Sequence, residues 1–249
     1  MGYEKIIYEK SGQVGIITLN RPAKKNALNE QMNREIIHVC DAIENDSEVK
    51  VLILTGGPEI FCTGADLADV SKTEDGLPTG PNAIERLNNV TKPTIAVISG
   101  WCVAGGIELA LACDLRVVAD TARIGDRHIK IGFIGGAGSP TRLVRVLGLS
   151  KAMELILTGG IVDGNEAYRI GFANKVVPAD KLMVCAMELA ERIAGYSSLA
   201  LILSKKAVKA AVDSPEYQSL HTTQLLLLEL LSSAEYKERI AAFLAKGRG

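Results

Sequence analysis

Val51-Leu52-Ile53-Leu54-Thr55 has no polar side chain before its last residue and is halted by Gly56-Gly57-Pro58. A short, unbroken apolar run of this kind fits a strand covered on both faces, and such strands belong to sheets with helices packed against them. Thr94–Ile98, introduced by Pro93, and Leu115–Ala119 repeat the signal. Helical stretches lie between the runs. Over residues 29–45 the apolar Met32, Ile36, Val39, Cys40 and Ile43 recur at helical spacing, and further helices are expected over 65–70, over 82–89 and from Gly105-Gly106 to Ala112. Near the start, Ile6-Ile7-Tyr8 and Val14–Leu19 flank Ser11-Gly12 as the arms of a hairpin. Strands alternating with helices predict an α/β core.

Beyond Ala179 only helical patterns remain, over residues 179–194, 197–212, 215–231 and 234–245. Within them Leu225-Leu226-Leu227-Leu228 with Leu230-Leu231 is apolar around too much of the helix to face water, so the core or a second subunit is expected to cover it. The chain is read as an α/β core over residues 1–195 and a helical C-terminal region over 196–249. Residues 71–81, rich in Gly, Pro, Thr and Asp, read as a mobile surface loop.

Charge and cysteine usage narrow the partners. Lys and Arg number 28 against 29 Asp and Glu, which leaves no basic field for nucleic acid or an anionic membrane surface. The longest uncharged stretch, residues 93–107, is too short to span a bilayer. Five cysteines without C-x-x-C spacing, and an N-terminus Met1-Gly2-Tyr3-Glu4-Lys5 lacking the apolar region of a secretory signal, point to a reducing, cytoplasmic setting. The three histidines and five cysteines show no metal-ligand spacing, so no metal is expected.

The chemistry is expected where the strand Thr94–Ile98 leads through Ser99-Gly100-Trp101-Cys102-Val103-Ala104 into a helix at Gly105. Peptide N–H groups in a helix's first turn lack an internal partner and sit at the positive end of the macrodipole. Glycine lets a ligand oxygen come close to them, as an oxyanion hole requires. Glu108, one turn further on, is the only charged residue between Lys92 and Asp114. A lone carboxylate in an apolar stretch is costly unless it is paired or functional. Phe61-Cys62-Thr63-Gly64-Ala65-Asp66-Leu67 is a second loop leading into a helix start. If its strand lies beside Thr94–Ile98, one N–H from each loop converges on a single oxygen.

In combination and order, several segments resemble the enoyl-CoA hydratase/isomerase (crotonase) superfamily. They are Asn20-Arg21-Pro22 with Asn26-Ala27-Leu28-Asn29, then residues 61–67, 105–114 and 132–142, Leu157-Thr158-Gly159 and residues 238–243. The resemblance implies a crotonase-like spiral of ββα units followed by helices that build homotrimers, often paired as homohexamers. It implies an acyl-CoA substrate, with coenzyme A as part of that substrate and no separate cofactor. By position it makes Ala65 and Gly105 the N–H donors to the thioester oxygen, and Glu108 the first of two catalytic glutamates.

The second glutamate of the family belongs to a stretch F-G-x-P-E-x-x-x-G. Here that stretch reads Ile124-Gly125-Asp126-Arg127-His128-Ile129-Lys130-Ile131-Gly132, so His128 stands in the glutamate's place. An unperturbed histidine titrates at about 6.5, close to working pH, and a neighbouring carboxylate favours its charged form, which suits an acid. The other reading of His128 is a surface or gating residue beside a site in which Glu108 works with water alone. Asp126, two residues away, would need a local rearrangement to substitute. His38 and His221 fall on predicted helices and are read as structural.

Hydration of a 2-enoyl-CoA through an enolate is the expected reaction. A thioester or C–C hydrolase, a decarboxylase, an isomerase and a non-catalytic acyl-CoA-binding protein are the alternatives. By family position, CoA contacts are expected from Lys24, Lys25, Ala27, Asp66 and Leu67, and from Lys246 of a neighbouring subunit. The glycines of residues 132–138 form no nucleotide-binding motif; a turn lining the acyl pocket ahead of a helix near Pro140 is expected instead.

Overall fold

The computed structural model describes residues 2–70 and 82–246. The predicted surface loop over 71–81 lies outside the described residues.

The chain opens with an antiparallel hairpin, β1 (Ile6–Ser11) and β2 (Val14–Leu19). Its turn falls at Gly12-Gln13, one residue later than expected, because Ser11 still pairs with Val14 and Gly12 takes the left-handed φ of +56°. Helix α1 (Glu30–Glu44) is capped by the Asn29 side chain, which accepts from the Met32 N–H, and buries the predicted apolar stripe. Then come β3 (Val51–Thr55) and the short helix α2 (Leu67–Val70), followed by α3 (Ala83–Asn88), capped by Asn82. Helix α2 starts later than the expected residue 65 because Ala65 is held in a parallel bridge with Leu28.

Strand β4 (Thr94–Ile98) turns at Gly100 into β5 (Trp101–Val103), which leads to α4 (Gly105–Ala112). The unit recurs as β6 (Leu115–Ala119), β7 (Arg123–Gly125) and, after a 3-10 turn over His128–Ile131, α5 (Ser139–Leu147). Helices α6 (Leu149–Thr158) and α7 (Gly164–Arg169) precede β8 (Lys175–Val177). The tail is helical, with α8 (Leu182–Ala194), α9 (Ser198–Asp213), α10 (Glu216–Ser232) and α11 (Ala234–Lys246). The helix expected from 179 is divided, a 3-10 turn at Ala179–Lys181 preceding α8.

The main sheet runs β1-β2-β3-β4-β6-β8 and is parallel beyond the first pair. A second layer is built from short pieces: β5 pairs with β7, Cys62 bridges Cys102, and Ile124 bridges Val162. Each of β3, β4 and β6 therefore hands the chain to a short second-layer segment and then to a helix. This is the ββα repeat of the expected spiral. It was invisible as periodicity because pieces of three residues or fewer carry no alternation.

β3 and β4 are buried throughout, and α8 packs across β3, β4 and β6. Helix α4 is buried on every side. Its C-terminal carbonyls are satisfied by the buried guanidinium of Arg116, which donates to Ala110 O and Cys113 O and lies over the Phe172 ring. α9 pairs with α10 and is fastened to the core by Lys205, whose Nζ lies 2.6 Å from Asp114. Leu226 is buried, but Leu225, Leu227, Leu228 and Leu231 stay exposed on the single chain.

Candidate active site

The two loops expected to supply backbone donors lie against each other. Because β3 and β4 are neighbours, Gly64-Ala65 meets Ala104-Gly105: a Cβ built on Gly64 would stand 2.9 Å from the Gly105 N, and one built on Gly105 3.3 Å from the Ala65 N. Gly64 has φ of +100° and Ala104, rare for a residue with a Cβ, has φ of +51°. The direction of the Ala65 N–H follows from its bridge. Leu28 N–H donates to Gly64 O and Asp66 N–H to Leu28 O, so the polar groups of Ala65 face away from Leu28. Among the described residues, neither the Ala65 nor the Gly105 N–H has an acceptor.

A buried asparagine holds this arrangement. Asn26, with φ of +53°, donates its side-chain amide to Gly56 O, Ile60 O and Phe61 O, while its Oδ1 accepts the Arg21 N–H. It thereby ties the 21–28 loop to the strand end that carries Cys62 to Ala65. In the sequence Asn26 stands out only as part of the resembling segment, because the carbonyls it holds lie 30 or more residues away.

Glu108, in the first turn of α4, is only 3% exposed. Its Oε1 accepts the Ser139 N–H at 3.0 Å, so the carboxylate sits against the N-terminus of α5 as well as inside its own helix start. Burial pushes its pKa up; the Ser139 and Ala137 N–H groups and the charge of His128 work the other way and do not overcome it.

His128 is buried, which removes the surface-residue reading. Its Nε2 stands 3.8 Å from Glu108 Oε2, and its Nδ1 2.8 Å from Asp126 Oδ1. Burial alone would lower its pKa, but the hydrogen bond to Asp126 and the charges of Asp126 and Glu108 outweigh it and hold the imidazole above its ordinary value. Asp126 is nearly inaccessible; burial disfavours its charge, yet its hydrogen bonds from His128 and Ser139 keep it below the usual carboxylate range. The Ser139 hydroxyl donates to Asp126 Oδ2. Ser139 thus joins both carboxylates, N–H to Glu108 and O–H to Asp126. No local signal marks it, since it stands 31 residues from Glu108.

Above this cluster runs the glycine loop ahead of α5. A Cβ on Gly135 would meet Ser139 Cβ at 2.6 Å, Glu108 Oε1 at 3.1 Å and His128 Cε1 at 3.2 Å. The predicted turn before Pro140 therefore lies directly on Glu108 and His128.

Lys24 and Lys25 are exposed at a bend, with Lys25 in the left-handed region at φ of +51°. Ala27 O accepts from the Arg21 guanidinium, and Asp66 Oδ2 pairs with the same group at 2.9 Å, so the Asp66 carboxylate is engaged within the chain. Leu67 is exposed at the start of α2. The Lys246 side chain lies outside the described residues. His38 Nδ1 is 2.8 Å from the Tyr3 hydroxyl on the surface, away from the cluster. Among the described residues no group of His, Cys, Asp and Glu is placed to hold a metal.

Two peptide N–H groups without an acceptor among the described residues thus lie on a spiral of ββα units beside a buried carboxylate and imidazole. The enoyl-CoA hydratase/isomerase family model matches residues 9–249, and the chain belongs to that family. It is 38% identical to a probable enoyl-CoA hydratase of Rhizobium meliloti, over 99% of this chain and 97% of the relative. It is 36% identical to the short-chain-enoyl-CoA hydratase of Clostridium acetobutylicum, with the same coverage. The crystal structure of an enoyl-CoA hydratase subunit I from Geobacillus kaustophilus superposes with a TM-score of 0.91 at 36% identity, covering 98% of this chain and 96% of that one.

Proposed function

We propose that this protein catalyses the reversible hydration of a 2-enoyl-CoA, with Ala65 and Gly105 as the oxyanion hole and Glu108 and His128 as the acid–base pair. The observation that carries the reading is the pair of N–H groups without an acceptor among the described residues, that of Gly105 one turn before Glu108 and that of Ala65 beside it, with the Glu108 carboxylate facing His128 Nε2 at 3.8 Å.

The thioester carbonyl makes Cβ of the enoyl chain electrophilic. As water adds to Cβ, Glu108 takes one of its protons, and the charge that develops on the thioester oxygen is held by the two peptide donors. His128, as imidazolium, gives its Nε2 proton to Cα and the enolate becomes the saturated 3-hydroxyacyl thioester. Transfer of the proton from Glu108 to His128 restores the starting state. The reaction uses no group beyond chain, water and substrate.

For the CoA moiety, Lys24 and Lys25 are proposed to meet its phosphates, with Ala27, Asp66 and Leu67 lining the approach and Lys246 contributed by a neighbouring subunit. Support for the lysines is their exposure at the bend joined to the oxyanion loops through Asn26. The exposed leucines of α10 support a trimer, or a pair of trimers, since burying each is worth about 1.5–3 kcal/mol. Five free thiols, four of them buried, support a cytoplasmic setting.

The test is to incubate the protein with crotonyl-CoA and with longer and cyclic enoyl analogues while following loss of the enoyl-thioester absorbance. Hydration of any of these is the expected result. No turnover on any of them, with hydrolysis of a saturated or 3-oxo thioester instead, overturns the proposal in favour of a hydrolase.

A further inference from the structure

The least explained feature of the site is its second carboxylate. Asp126 is neither on the oxyanion loops nor in contact with Glu108, yet it is more deeply buried than His128 and both its oxygens are occupied. Oδ1 receives the backbone N–H of His128 at 3.1 Å and lies 2.8 Å from the ring Nδ1, while Oδ2 receives the Ser139 hydroxyl. A carboxylate that accepts from a backbone N–H and a hydroxyl has no proton to give, so the Nδ1 contact requires the proton to be on the ring.

We propose that Asp126 is the positioning residue of His128: it fixes the proton on Nδ1, turns Nε2 toward Glu108, and so makes an Asp126–His128 pair do the work for which the family's pattern supplies a second glutamate. The proposal rests on the hydratase reading for its catalytic consequence but not for its geometry.

Three features make the pair more than a packed side chain. The link is doubly local, because the oxygen that meets Nδ1 also holds the His128 backbone N–H, so the turn keeps the carboxylate beside the ring. It is coupled to the other acid through Ser139, whose N–H holds Glu108 Oε1. The opposite side of the ring is free for chemistry, since Nε2 faces Glu108 across 3.8 Å, beyond a direct hydrogen bond. A glutamate at position 128 would bring its own negative charge. Histidine there is neutral or positive, and the Asp126 anion beneath it favours the cationic, proton-donating form. The charged groups facing the ring are Asp126, beside it in the chain, and Glu108 of α4; Arg142 of α5 acts on Glu108 from the same side.

The experiment is a pH titration of the ring nitrogens by 15N NMR on the full-length protein, with no substrate present. Only three histidines occur, so the His128→Ala spectrum assigns the signals. In the native protein the neutral ring is expected to carry its proton on Nδ1; a proton on Nε2 overturns the proposal outright. Asp126→Asn keeps the shape and a carbonyl acceptor but removes the charge. It should lower the ring's ionisation by about one pH unit or more and shift the alkaline limb of kcat by the same amount, with KM little changed. An unmoved ring ionisation in that variant refutes the assignment, whatever happens to the rate. Asp126→Ala should lose about 100-fold in kcat. If it does not fold, the native tautomer and the Asp126→Asn titration still decide. A protein that shows the expected ring behaviour but hydrates no enoyl-CoA would refute the hydratase reading and leave the positioning assignment standing.

Discussion

Replacing Glu108 by glutamine separates what the carboxylate does for catalysis from what it costs the fold. The amide is isosteric, and its orientation is dictated: Oε1 must keep accepting the Ser139 N–H, so the NH2 end faces His128 where Oε2 stood. The variant keeps the shape of the site and loses the base that takes a proton from water. Loss of a positioned acid–base group is worth 10²–10⁴-fold, or about 3–5.5 kcal/mol of barrier, so kcat for crotonyl-CoA should fall by at least about 100-fold while CoA affinity is retained. Stability should move the other way. A carboxyl whose pKa is raised on folding binds its proton more tightly in the folded state, so it withdraws stability as pH rises from the ordinary carboxylate range through the raised value. Each unit of that rise costs about 1.4 kcal/mol above the window, and the amide escapes it. Glu108→Gln should therefore melt a few degrees higher than the native protein at pH 8 and lose that advantage at pH 4. Steady-state kinetics with calorimetry at the two pH values reads both effects. A variant with near-native turnover, or one destabilised at pH 8, would show that the carboxylate is structural and the reasoning wrong.

Other perturbations probe the neighbouring parts. With Glu108 required as an anion and His128 as a cation, kcat should be bell-shaped in pH, its alkaline limb set by the raised ionisation of His128; His128→Ala should abolish that limb, and a profile merely rescaled would deny the histidine a proton-transfer role. Gly64→Ala puts a Cβ 2.9 Å from the Gly105 N in a left-handed backbone, so kcat should drop by about 10²–10³-fold, and activity within threefold of native would remove the oxyanion hole from the argument. Asn26→Ala strips partners from one buried and two part-buried carbonyls and from one N–H, and urea denaturation should report a loss of about 3 kcal/mol; a change below 1 kcal/mol would mean the loop holds itself. Leu225→Glu with Leu228→Lys should convert an oligomer to monomers in velocity sedimentation, whereas an unchanged mass would place the interface elsewhere.

The strands β3, β4 and β6 were legible because continuous burial writes itself as continuous apolarity, and α1 because its buried residues recur at helical spacing. Glu108 was legible as the single charge in a helix otherwise apolar all round. The short second-layer strands were not, since three residues at β5 and β7 are too few to show a period. Asp126 reaches the His128 N–H through an Asx turn, which residue type favours, but the turn does not fix the ring that Oδ1 also meets, and Ser139 meets both acids only because β6 and β7 bring α5 over the start of α4. Apart from that local contact, what remained hidden was long-range: contacts between loop ends whose separation along the chain bears no relation to their separation in space.

The bare backbone of Gly135 lies so close over Glu108, His128 and Ser139 that any side chain at position 135 would have to displace them. One step along, a Cβ at Gly136 would meet nothing within 4 Å, and Ile134 already projects outward. Side chains at 134 and 136 can therefore change size or polarity without pressing on Glu108 and His128, which makes these two positions, and not 135, the ones from which the loop can be reshaped.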